Sequence, residues 1–379
     1  MVHPTKQMES GSQELNAYRM LVREIYRRGL TCGAKLPPQE DLRQEIGFSH
    51  ATLSRAMERL VADGVIQRKQ RIGTVIRDPD AVDLSVWTVA LLLNWDLGNV
   101  PSPFFSRLTC LLQQKLVAAG CQCRVYPHVN VTMEEPHRIA DYVNLENDVE
   151  AGTVDAVLTP GSLADQDRMR LTERTIPVCF STGWQLAACG CVIDAVAFAR
   201  AAVESLEKQG AMRLGVVAAG YSRGYNSLYD ESRLAVRNVP GGCVEFIEAG
   251  CIGIAGGRRA AEIVLDRPRA ERPDALIVDD DHIALGLSQF FKLESDYAPP
   301  MAVLTHQAAP LTFALPVLHF ELDDEELADR AVRLIIERLR HPELPDRVEW
   351  LAPRFAGSDA DYSAAGTMDE LEALSGTLV

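Results

Sequence analysis

The sequence predicts an α/β protein in two parts. A small N-terminal winged helix-turn-helix, residues 13–77, precedes a larger two-lobed body of parallel sheets, residues 87–358. Three observations carry that expectation. Three stretches with helical spacing run into a basic hairpin. The rest of the chain alternates apolar strand-like runs with helical stretches, in two rounds of similar length. Charge is also unevenly shared: residues 1–80 hold 13 Lys and Arg against 10 Asp and Glu, and residues 81–379 hold 25 against 43, within a chain of net −15. An acidic body with a mildly basic head suits a protein that meets nucleic acid at one end only.

Residues 1–12 are polar and are expected to be disordered. From Gln13 onward, Leu15, Tyr18, Leu21, Val22 and Ile25 recur at three and four, and Gly29 and Gly33 end that helix. Pro37-Pro38 opens a second helix, with Leu42 and Ile46 inward and Gly47 closing it. Ser49 is placed to cap a third, residues 50–63, whose inner face is Leu53, Met57 and Leu60. Residues 65–68 and 73–76 read as strands joined by the tip Lys69-Gln70-Arg71-Ile72. A helix of this kind fits the major groove, and a basic hairpin can lie along the neighbouring backbone. Residues 49–77 hold five Arg and one Lys against Glu58 and Asp63, which favours a contact face over a merely solvated one.

The stretch from Gly33 to Ile76, GAKLPPQEDLRQEIGFSHATLSRAMERLVADGVIQRKQRIGTVI, resembles the GntR family of regulators. It carries Leu-Pro, Gly-x-Ser, x-Thr, an acidic residue before Gly, and Gly-Thr in the wing, each at the family's spacing. The resemblance implies DNA contact by Ser49, His50, Thr52 and Arg55 on the recognition helix and by Lys69 and Arg71 in the wing. The chain departs from the family's usual Ser at Pro38, Arg at Glu40, His50 and Ser54, and Gly at Arg71.

Residues 78–86 read as a polar linker. Beyond it, strands are expected at 87–93, 121–126, 154–159, 176–180 and 191–193, and again at 214–218, 244–248, 275–278, 302–304 and 317–320. Helices fall between, and a strongly amphipathic one spans 325–340. Ligands of such folds sit at the carboxyl ends of the strands. The segments FFSRLTCLLQQKLVAAGCQCRVY, VDAVLTPG, IPVCFST and PDALIVDDDHIALGL, in this order and spacing, resemble the LacI/GalR-type effector domain, itself similar to periplasmic sugar-binding proteins. That resemblance implies effector contacts from Arg233, Asp280, Asp281 and His306, from Asp194 at a lobe crossover, and from the aromatics Phe104 and Trp184. The family's ligand aspartate near His306 is missing, and Asp280 stands where the family has Asn. Arg233, Asp280 and His306 are expected to converge from separate loops. One of Asp280 and Asp281 is expected to cap the following helix instead.

Other classes receive little support. Nine cysteines, an odd number at scattered spacing, read as small buried hydrophobes and not as a disulfide or zinc framework. His128, His137 and His341 read as surface residues. No apolar leader or membrane-length run is seen, so a cytoplasmic protein is expected. The run Asp279–Asp281 lacks the spacing of a calcium loop, GGRRAAE lacks a P-loop lysine, and no nucleophile elbow is present. No catalysis, metal or cofactor is expected. The reading is therefore a regulator, most simply a repressor, that binds operator DNA as a homodimer and responds to a small, sugar-like effector. A solute-binding protein or enzyme that uses the head only to dimerise, and an architectural protein without a ligand, stay open. The tail, residues 359–379, is assigned no role.

Overall fold

In the computed structural model, which describes residues 4–93, 103–129, 137–161, 163–181, 189–219, 227–236, 241–308, 310–341 and 344–358, the first helix already starts at Pro4. The segment expected to be disordered therefore extends α1 (Pro4–Arg27) by more than two turns. Next come α2 (Gln39–Ile46) and α3 (His50–Ala62), then the hairpin β1 (Ile66–Lys69) and β2 (Gly73–Ile76). Gly47 adopts the left-handed conformation at φ 81° and stops α2 there, donating its N–H to Arg43. Two residues on, the Ser49 hydroxyl accepts the Thr52 N–H at 3.2 Å and starts α3. Tyr18, Leu21, Val22 and Ile25 of α1 bury against Leu42, Leu53, Met57 and Leu60. The helical stripe read from the sequence is thus the core of the head.

Residues 78–86 form two short 3₁₀ turns, Pro79–Ala81 and Leu84–Val86, pinned to the head. Tyr26 donates its hydroxyl proton to the Pro79 carbonyl at 2.7 Å, Arg59 pairs with Asp83 at 3.0 Å, and Val82 and Val86 are buried.

In the body, β3 (Thr88–Leu93), α4 (Pro103–Ala118), β4 (Gln122–Pro127), α5 (Leu145–Glu150), β5 (Ala156–Thr159), α6 (Asp165–Glu173), β6 (Val178–Phe180) and β7 (Gly190–Ile193) build the first lobe. The chain then enters the second lobe through α7 (Ala195–Glu207), β8 (Arg213–Ala218), α8 (Ser227–Val236), β9 (Cys243–Glu248), α9 (Ile254–Leu265), β10 (Ala275–Val278), α10 (Asp281–Glu294), β11 (Met301–His306) and β12 (Val317–Leu322). It returns through α11 (Asp324–Arg340), which packs on α4 and the first sheet, adds β13 (Val348–Leu351) to that sheet, and crosses once more to β14 (Arg354–Ser358). The sheet orders are β13-β7-β6-β5-β3-β4 and β14-β12-β11-β10-β8-β9. Within these two sheets all strand pairs are parallel except β12–β14. The sequence did not announce β13 and β14: they are short, partly exposed edge strands without a buried apolar run. Crossovers leave the carboxyl ends of β7, β12 and β13, so the strand ends of both sheets face the junction between lobes.

Several side chains depart from the sequence reading. Cys32, Cys110 and Cys243 are exposed, whereas Cys121, Cys179, Cys189 and Cys191 are buried. His137 and the side chain of His128 are buried, and the His341 ring lies against Tyr26 at 4.7 Å. Among the described residues no helix is long and apolar enough to cross a membrane.

Head and body meet at a buried ion pair. Arg19 and Arg23 of α1 approach Asp155, which leads into β5, at 3.2 and 3.4 Å. Asp155 also accepts the Thr88 N–H at 2.9 Å, Arg19 donates to the Val86 carbonyl at 2.7 Å, and the Arg23 guanidinium lies 5.5 Å from the Trp87 ring centre. Truncating Asp155 to Ala should cost about 3–5 kcal/mol in urea unfolding, because Arg19 would stay buried without its counter-ion. The double change Arg19→Met with Asp155→Leu should recover most of that loss; an unchanged deficit would show that the pair itself does not hold the interface.

Candidate nucleic-acid interface and effector cleft

On the head, Ser49, His50, Arg55, Lys69 and Arg71 are exposed, as a DNA contact requires. Thr52 is buried and its hydroxyl lies 2.8 Å from the Ser49 hydroxyl, so the two share the cap of α3. Arg55 sits 3.6 Å from Glu14 of α1, an exposed pair that a phosphate could displace. Arg59 is committed elsewhere, over the Tyr18 ring and onto Asp83. Arg71 stands at the wing tip with φ 65°, a conformation that favours glycine. Keeping a long cation there despite the backbone cost puts charge where the hairpin projects furthest.

In the body, two of the expected effector residues meet across the lobes. The Phe104 ring, from the first turn of α4 in the first lobe, stacks on His306 at the end of β11 in the second. Their centres are 4.1 Å apart and their planes 17° apart. His306 Nδ1 lies 2.9 Å from the carboxylate of Asp324, the first residue of α11 after a crossover. Arg107, one turn along α4 from Phe104, approaches the other Asp324 oxygen at 3.6 Å. Asp280 directly precedes α10, beyond the end of β10. Its side chain caps α10 by accepting the Ile283 N–H at 2.7 Å, the capping role expected of one of this pair. Asp281 is buried and bound to His282 Nδ1 at 2.7 Å. Asp194 sits at the first crossover and caps α7, accepting the Ala197 N–H at 2.9 Å.

Arg233 does not join them. It lies exposed in the last turn of α8, its guanidinium 5.6 Å from the Tyr229 ring, which packs on Phe246 of the edge strand β9. Of the three residues expected to converge, Arg233 lies apart beside Tyr229, and His306 meets Phe104. Arg233 stands six residues beyond the start of α8, in its last turn. Trp184 lies outside the described residues.

Sequence reasoning missed Arg107, Asp324 and Asp279. Arg107 was legible as the i+3 neighbour of Phe104 on one helix face. Asp279 directly follows β10, is half-buried with its Oδ1 shut off from solvent, and is pushed up to about 8 by desolvation and by the adjacent Asp280 charge. Both effects favour the protonated carboxyl, the form that can donate a hydrogen bond. Asp279 Oδ1, Ser181 Oγ after β6, Thr305 Oγ1 of β11 and Asp324 Oδ2 are buried polar atoms with no hydrogen-bond partner among the described residues. Each such atom costs about 1–3 kcal/mol unless something polar reaches it. All four stand at strand ends or at a crossover.

Residues 13–76 match the family model described as bacterial regulatory proteins, gntR family, so the head is a GntR-type helix-turn-helix domain. Of characterised relatives, the histidine utilization repressor of Pseudomonas putida is 33% identical over 75 residues, which cover 19% of this chain and 30% of that protein. The chain thus matches less than a third of that relative's length. The body resembles structures of transcriptional regulators solved with bound sugars. One is the Cra transcriptional dual regulator of Pseudomonas putida in complex with fructose 1-phosphate, at TM-score 0.57 and 17% identity over 71% of this chain and 98% of that one. Another is the regulator CelR in complex with cellobiose, at TM-score 0.57 and 17% identity over 82% and 91%. At such identities the likeness establishes the fold, a two-lobed LacI-type body.

The raised carboxyl of Asp279 sets a pH dependence. Below about pH 4 the group is protonated in both folded and unfolded chains. Between pH 4 and 8 only the folded chain keeps the proton, so stability contributed by this site falls as pH rises through that window and is flat above it. Asp279→Asn should remove that slope and gain on wild type from pH 5 to pH 8 in thermal melts. Parallel pH profiles of the two proteins would show that Asp279 is ionised when folded.

Proposed function

We propose that the protein is a transcription regulator whose GntR-type head binds operator DNA and whose LacI-type body binds a small, hydroxyl-rich effector between its lobes. The observation that carries this reading is the Phe104–His306 stack. It joins the two lobes, where buried oxygens lack partners among the described residues, while Asp155 pins the head to the first lobe. A ligand that engages the strand ends must act on that stack, and so on the angle between lobes.

The chemistry favours a sugar. Carboxylates and hydroxyls at the strand ends exchange hydrogen bonds with ligand hydroxyls, and Phe104 offers a face to C–H groups. Arg107, which reaches the strand-end carboxylate of Asp324, is already paired with Asp324 and Glu325. That pairing favours a neutral sugar over a phosphorylated one. The sugars in the two neighbouring structures are consistent with the class. Two heads on a homodimer would read half-sites about 34–36 Å apart, or a multiple of that. A coupling of about 1–3 kcal/mol between cleft and head suffices for control. Repression, the absence of catalysis and a cytoplasmic location belong to the same reading.

The test is a gel shift with the DNA upstream of the chain's own gene, with and without hits from a thermal-shift screen of mono- and disaccharides, sugar acids, sugar phosphates and nucleosides. His306→Ala should abolish the thermal shift and leave DNA binding intact, and Arg233→Ala should change neither. Arg71→Gly should fold at least as stably as wild type, because it relieves the left-handed backbone. It should also lower the salt slope of DNA binding by about one. Failure to bind any upstream fragment would refute the regulator reading, and a shift retained in His306→Ala would move the site elsewhere.

A further inference from the structure

We infer that the first lobe carries a site for a divalent first-row transition ion such as zinc, formed by His128, His137 and Asp141. The three residues bring one ligand atom each within 4.8 Å of one another. They lie on the first lobe, where His128 follows the end of β4 and Asp141 belongs to a 3₁₀ turn, Ile139–Asp141. His128 gives the second, independent observation. Its side chain is only 3% exposed, and neither Nδ1 nor Nε2 has a hydrogen-bond partner among the described residues. A neutral imidazole always presents one nitrogen as donor and one as acceptor, so burying both unpaired is costly, and a metal ion removes that cost at the acceptor nitrogen.

The surroundings hold the three ligands in place. An isolated backbone bridge pairs His128 with Tyr142, and another pairs His137 with Leu163. Tyr142 sets its ring edge-on to both imidazoles, at 5.2 and 6.4 Å between centres, and the two imidazoles lie 4.9 Å apart. The Asp141 carboxylate accepts the Arg138 N–H at 2.6 Å through Oδ2, which orients it, and the same oxygen faces His128 Nε2 at 3.9 Å. Ligand atoms on a tetrahedral zinc sit roughly 3.4 Å apart, so an ion would draw this set inward by about 1 Å. Two imidazoles and a carboxylate suit zinc, cobalt or nickel, and three protein ligands leave a position for water. The ion would tie together the two ends of the span between His128 and His137. The other clustered set, Asp280, Asp281 and His282, is weaker: one carboxylate caps α10 and the other already binds the histidine.

The experiment uses the full-length protein, stripped with a chelator and with accessible thiols alkylated, since Cys32, Cys110 and Cys243 are exposed. Cobalt(II) is titrated in by equilibrium dialysis with visible absorption, followed by zinc competition. The expected result is one cobalt per chain, with a nitrogen/oxygen-type spectrum lacking a thiolate band, displaced by zinc. His128→Gln, His137→Gln and the milder Asp141→Asn should each weaken binding more than about tenfold, and His282→Gln should not. Metal-free melts identify any variant that fails to fold; Asp141→Asn keeps an acceptor for Arg138 and decides the matter if the histidine variants do. Substoichiometric binding, a thiolate band, or affinity unchanged in Asp141→Asn would overturn the site, as would a loss confined to His282→Gln.

Discussion

Asp155 is a single carboxylate held between two arginines of another domain, and the working geometry of the molecule depends on it. Burial disfavours its charge, and Arg19 and Arg23 counter that cost together with the Thr88 N–H. A buried pair of this kind contributes little net stability compared with apolar side chains of equal size, but it is intolerant of misplacement. It therefore fixes where α1 sits against the first lobe. The packing around it is apolar and continuous: Val82, Val86 and Trp87 belong to the same buried cluster as the head's Tyr18 and Ile25. The connection between head and body is a joint, tied by side chains at both ends, and a tether would not be expected to transmit a change in orientation.

With the head fixed to one lobe, any signal must arise from movement of the other. Arg107, Asp324, His306 and Phe104 form a connected set drawn from three places in the chain: the face of α4, which supplies Phe104 and Arg107, a crossover and the end of β11. Asp324 is central because it belongs to the hinge itself. Its carboxylate is wholly buried, with one oxygen on His306 and the other short of a hydrogen bond to Arg107. A change in lobe angle alters those distances directly, so hinge and cleft are one electrostatic unit.

Much of the fold was legible because it rests on periodicity. The head's helices follow Leu15, Tyr18, Leu21, Val22 and Ile25 and stop at glycines that the backbone uses at positive φ. The parallel strands are short apolar runs between turn residues, and the structure buries them on both faces, as with β3 and β5. Edge strands β13 and β14 escaped because an edge need not be apolar. The joint at 78–86 escaped for a different reason: its order comes from Tyr18, Tyr26 and Arg59, contacts that local composition does not encode.

The site was legible only where chemistry and position coincide. Phe104 and His306 were named from a resemblance and do meet, but the same reasoning named Arg233, which helix phase turns away from the strand ends. Transfer of a residue by alignment fixes its place in the chain and leaves its direction to the local backbone, and a helix rotates that direction by about 100° per residue. Strand-end residues escape this ambiguity, since a parallel strand delivers its last side chains to one edge of the sheet whatever the sequence. Asp279, Thr305, His306 and Ser181 are all of that type. In a doubly wound body read from one sequence, the residues one or two places beyond each strand are therefore better candidates for ligand contact than matched residues farther along the helices that follow.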